Sequence, residues 1–73
     1  MSASASFSDI NRMLDECAPG HSLRLANHSR VVKWNDKVYR SLPKHDNIEL
    51  GHVRKMVRYL GINWECAEKY GVV

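Results

Sequence analysis

No apolar run in this sequence approaches the roughly 18 residues that would suggest a membrane span. The first six residues, Met1 to Ser6, are small and polar. They lack the basic and apolar regions of a secretory leader, so they are read as a frayed tail, with a cytoplasmic location as the default. Cysteine is scarce: Cys17 and Cys66 stand far apart, and neither belongs to a Cys-x-x-Cys pair or a Cys/His cluster of zinc spacing. Each falls at an apolar position of an expected helix, so buried free thiols are favoured over a bridge. The four histidines are scattered and have few carboxylates near them, which makes no chelating set; no metal or cofactor is expected. At 73 residues there is no room for two cores, so residues 7–73 are expected to form a single domain.

What the chain does have is unevenly spread charge. Residues 21–62 hold nine Lys and Arg against three Asp and Glu. Residues 1–20 set Arg12 against Asp9, Asp15 and Glu16, and residues 63–73 set Lys69 against Glu65 and Glu68. A basic middle between acidic ends suggests one positive face, the electrostatic footprint of a polyanion binder, although a solvated surface looks the same by charge alone.

The hydrophobic pattern gives the order of elements. Phe7, Ile10, Met13, Leu14 and Cys17 recur every three or four residues, predicting an amphipathic helix over 7–17 that Ser6 or Ser8 caps and Pro19-Gly20 stops. His21 to Leu25 alternates as a half-buried strand. Ser29 to Trp34 has strong strand propensity, and Asn35-Asp36 is a tight-turn signal without glycine. Lys37 to Leu42 is a third strand, ended by Pro43, with Val38, Arg40 and Leu42 on one face. Leu50, Val53, Met56, Val57 and Leu60 predict a second helix, capped by Asp46 or Asn47 and closed by Gly61. Asn63 caps a short last helix, Trp64 to Tyr70. The expected fold class is α+β: an α-β-β-β-α two-layer arrangement, with a three-stranded antiparallel sheet covered on one face by two helices, plus a short C-terminal helix.

Two blocks carry a resemblance. Ala26-Asn27-His28 precedes the second strand, and Ser41-Leu42-Pro43-Lys44-His45 closes the third; Gly51-His52-Val53-Arg54 then opens a helix that ends Leu60-Gly61-Ile62. Over residues 7–62 this resembles the HicA toxin family of bacterial toxin–antitoxin systems, small proteins with a double-stranded-RNA-binding-domain-like fold. In that family the first block reads Gly-Ser-His; here the glycine is Ala26 and the serine is Asn27, while the histidine is kept. The resemblance implies a metal-independent endoribonuclease (an mRNA interferase) that cuts messenger RNA and is restrained by a HicB-like antitoxin protein.

RNA carries its own nucleophile, the 2′-hydroxyl. Cleavage then needs a proton acceptor, for which the resemblance implies His28, and charge stabilisation at phosphate. Arg24, Arg30, Lys44 or Arg54 are the cations in the implied region, and Asn27 is a hydrogen-bond donor where the family has serine. His45 is read either as a turn residue or as a phosphate contact. Two other classes stay open: a non-catalytic RNA-binding module of the same fold, and a domain whose positive face docks an acidic protein.

Overall fold

A computed structural model describes residues 3–73; Met1 and Ser2, the start of the expected tail, lie outside the described residues. The element order is β1 (Ser4–Ser6), α1 (Phe7–Cys17), β2 (Ser22–Leu25), β3 (Arg30–Trp34), β4 (Lys37–Leu42), β5 (Asn47–Glu49), α2 (Leu50–Leu60) and α3 (Trp64–Lys69). The fold is mixed α+β, with three helices, a three-stranded antiparallel sheet β2-β3-β4 and a two-stranded sheet β1-β5. Among the described residues no helix is long and apolar enough to cross a membrane.

The helices form where the apolar stripes predict. Ser6 Oγ accepts a hydrogen bond from the Asp9 N–H at 3.2 Å, and Asp9 sits in the first turn, where the helix dipole favours an anion. Ile10, Met13, Leu14 and Cys17 are the buried face of α1; Val53, Met56, Val57 and Leu60 are that of α2. At the end of α2, Gly61 takes a left-handed φ of 76°, its N–H donates to Arg58 O, and Ile62 N–H reaches back to Val57 O at 3.0 Å. This is a Schellman closure, which satisfies carbonyls the helix would otherwise leave open. Asn63 Oδ1 accepts from the Cys66 N–H at 2.9 Å and starts α3 as expected.

Three features depart from the sequence reading. The expected tail is partly ordered: Ser4, Ala5 and Ser6 pair with Glu49, Ile48 and Asn47. Hydrogen bonds continue the ladder on both sides, from Phe7 N–H to Asp46 O at 2.7 Å and from Leu50 N–H to Ala3 O at 3.1 Å. This pairing buries Ala5 and Ile48, and it draws residues 47–49 out of α2, so neither Asp46 nor Asn47 caps that helix. The α-β-β-β-α order therefore gains a strand at the start and another before α2.

The cysteines are not free thiols. Cys17, at the end of α1, is bonded to Cys66 in α3, with 5.8 Å between their Cα atoms. Both positions are apolar in their own helices because the two helices pack on each other, and there the side chains meet.

The third departure is the phase of β4. Arg30 pairs with Leu42 and Val32 with Tyr39, so Arg40 and Ser41 together lie opposite the single residue Val31. This β-bulge reverses the alternation within β4. Leu23, Val32, Trp34, Tyr39 and Leu42 share one side of the sheet and join the buried cluster that the apolar faces of α1 and α2 also enter, with α2 packed against β4. Val38 and Arg40 turn the other way, and Leu42 does not share their face. The turn at Asn35-Asp36 forms with φ of 57° and 62°, the two left-handed residues that match the twist of paired strands.

Candidate functional site

The two sequence blocks form two neighbouring loops. The β2–β3 loop, residues 26–29, is closed by the Leu25–Arg30 pair and by a hydrogen bond from Ala26 N–H to Ser29 O at 2.7 Å. Ser29 Oγ donates to Arg40 O at 2.7 Å, which ties the loop to β4. Asn27 and His28 stand exposed at its tip. The second loop, residues 43–46, connects β4 to β5 and exposes Lys44 and His45.

Two cations hold these loops. Lys44 Nζ donates to Asn27 O at 3.1 Å, a direct bond from one loop to the other. Arg30 Nη1 donates to Pro43 O at 2.7 Å and to His45 O at 3.0 Å. The Arg30 guanidinium also lies over the Phe7 ring, 3.6 Å from its centre. Arg30 is 8% exposed, on the core side of β3. The sequence reading grouped it with the phosphate contacts; the structure turns it inward instead, because two loop carbonyls and an aromatic face offer it partners there. It is a strut that shapes the second loop and not an open charge.

The remaining candidates are spread out. Arg24 is exposed on the outer face of β2, paired in register with Val31. Arg54 is exposed on α2, and no hydrogen bond or ion pair joins it to either loop among the described residues. The structure therefore brings together Asn27, His28, Lys44 and His45 with Arg30 beneath them, and leaves Arg24 and Arg54 on separate surfaces. The side chain of His28 has no hydrogen-bond partner among the described residues. The surface around the loops is open, with no pocket among the described residues, and no three or more His, Cys, Asp or Glu side chains gather there.

Two roles escaped the sequence reading. His21, given none, closes the end of α1: its Nδ1 lies 3.0 Å from Ala18 O and its Nε2 lies 3.9 Å from Asp15 Oδ1, an ion pair only when the ring is protonated. Pro19-Gly20 just before it was the available signal. Lys33 and Arg40 were not singled out either, yet register sets both on the outer sheet face with Arg24. The absence of any acidic residue from β2, β3 and β4 was the signal for that grouping.

Comparison of this chain with protein-family models, with curated proteins and with solved structures finds no match in any of the three.

Proposed function

We propose that the chain is an RNA-binding toxin of the HicA-like type, with a double-stranded-RNA-binding-domain-like fold, that cleaves messenger RNA without a metal and is restrained by a HicB-like antitoxin. The supporting observation is the bond from Lys44 to the Asn27 carbonyl, which joins the two loops that carry the histidines of the resemblance. An open, cation-bearing surface of two loops suits a polymer chain. In this reading His28 takes the proton from a ribose 2′-hydroxyl as that oxygen attacks the adjacent phosphorus. The bond to the 5′-oxygen breaks, leaving a 2′,3′-cyclic phosphate and a 5′-hydroxyl whose proton comes from water. The Lys44 ammonium offsets charge that builds on the phosphate.

The deciding experiment compares parent and His28→Ala for cleavage of messenger RNA and for growth inhibition, with circular dichroism to check folding. Loss of both activities in a folded variant supports the assignment; equal toxicity of the two proteins overturns it.

A second reading, RNA binding without cleavage, is favoured by one observation. Among the described residues no carboxylate or carbonyl orients the His28 ring, whereas a catalytic imidazole is ordinarily held in one tautomer by such a partner. This reading expects binding that falls steeply with salt and no cleavage of any RNA. The Cys17–Cys66 bond favours an oxidising compartment, where such bonds persist, over the reducing cytoplasm that the toxin reading expects.

A further inference from the structure

The strands β2, β3 and β4 contain Arg24, Arg30, Lys33, Lys37 and Arg40 and not one acidic residue. The sheet sorts these five cations by face. Arg30 and Lys37 lie on the helix side, and each finds an aromatic ring there: Phe7 at 3.6 Å and Tyr59 at 5.8 Å. Arg24, Lys33 and Arg40 lie on the outer side, all exposed, and none takes part in an ion pair among the described residues.

Register fixes how the outer three are arranged. Arg24 is the partner of Val31 on one side, and the bulge sets Arg40 and Ser41 against Val31 on the other. Lys33 stands two residues along β3 from Val31. Neighbouring strands are about 4.8 Å apart and residues advance about 3.3 Å along a strand, so the three Cα atoms fall within roughly 10 Å of one another. Val31 is only 5% exposed although it is outside the core cluster. Arg24 and Arg40 flank it in register, and long basic side chains readily cover an apolar neighbour while their charged ends stay in water. The register of Lys37 to Tyr39 carries on to place Arg40 opposite Val31, and the bulge only adds Ser41 beside it.

Three like charges held this close repel one another, and nothing on this face offsets them. An anion of repeating charge would do so. The face has two arginines, whose planar forks suit phosphate oxygens, and an aliphatic floor of Val31 and Val38. It has no aromatic on which a base could stack, since Trp34 and Tyr39 both face the helices. We infer that the outer sheet face of Arg24, Lys33 and Arg40 is a contact surface for single-stranded RNA, separate from the histidine loops, that holds phosphates and reads no sequence. It rests on the RNA reading above and extends it: the loops act at one point of the strand, and the sheet holds a neighbouring stretch.

The test uses 2′-O-methyl oligouridylate and oligoadenylate of equal length, which lack the nucleophilic hydroxyl and are not consumed. Binding is measured against salt for the parent, for R24Q/K33Q/R40Q, and for R12Q/K55Q/K69Q, which removes equal charge elsewhere. Each phosphate contact on a single strand contributes about 0.7 to the slope of log K against log salt, so loss of three flattens it by about 2. The expected result is that flattening in the sheet variant alone, equally for both oligonucleotides. Equal flattening in both variants, or none in the sheet variant, overturns the sheet surface while the RNA reading stands. Failure of the parent to bind either oligonucleotide overturns both. Polyglutamate of matched charge that binds the parent as tightly as RNA, and is lost in the sheet variant, overturns the RNA assignment of this face in favour of an acidic protein.

Discussion

Arg30 lies with its guanidinium 3.6 Å from the centre of the Phe7 ring while one of its nitrogens donates to the carbonyls of both Pro43 and His45. A single side chain from the central strand thus joins the first turn of α1 to the loop that presents His45. The shape of that loop depends on a residue that does not itself face solvent.

Arg30→Lys is therefore not a conservative change. An ammonium has no planar face to lay on Phe7, and it does not reproduce the guanidinium's geometry toward the two carbonyls. Loss of the stack and of one hydrogen bond to a charged donor is expected to cost about 2 kcal/mol, read as a lower midpoint in urea unfolding. If Arg30→Lys unfolds at the parent midpoint, the strut assignment is wrong.

Lys44→Gln separates the loop contact from the core. Lys44 is exposed and its bond to Asn27 O is on the surface, so the variant should unfold within about 0.5 kcal/mol of the parent. On the proposed function, RNA cleavage or RNA affinity should fall about tenfold or more, since the tie between the loops and an exposed cation beside them are both removed. Unchanged activity would show that the two loops act independently.

Breaking the Cys17–Cys66 link by Cys66→Ala should destabilise the domain substantially. The two residues are 49 positions apart, and closing a loop of that length restricts the unfolded chain by roughly 4 kcal/mol in the chain-entropy account. The same loss is expected when the parent is unfolded with and without a thiol reductant. A reductant that shifts the parent but not the Cys66→Ala variant is the required control.

Tyr39 gives a pH dependence of defined sign. Burial raises its phenol above the ordinary value of 10.0, because the ionised form loses hydration among the helices. The unfolded chain therefore releases this proton at lower pH than the folded one. The contribution is fully present below about pH 10 and is lost as pH rises through the higher folded value. Tyr39→Phe should remove that part of the alkaline fall in stability, as measured by urea unfolding across the alkaline range; an unaltered fall in the variant would assign it to other groups.

How much of this could be read in advance depends on the range of the signal. The stripes of α1 and α2, the Gly61 stop and the Asn63 cap are local patterns, and a few adjacent residues encode each. Ser4-Ala5-Ser6 has no large side chain to set a period, and its strand exists only because Asn47–Glu49 is beside it. The pairing of Cys17 with Cys66 required knowing that α1 lies against α3. Val31 and Val32 are adjacent, both apolar and both buried, so alternation could not tell which faced the core; the bulge at Arg40-Ser41 then broke the phase of β4. The histidine loops were legible as two motifs, but the side chain that holds them, Arg30, resembled any other basic residue of the window.

The Cys17–Cys66 bond encloses both histidine loops, the whole basic sheet, β5 and α2 within one covalent ring, while β1, α1 up to Glu16 and the second half of α3 lie outside it. A protease that cuts the exposed tip at Asn27-His28 would open that ring without releasing a fragment. The nicked molecule would gain one water and stay in one piece until a reductant parts it into two. Backbone scission at the very position where His28 stands can thus be scored by whether a thiol changes the band on a gel.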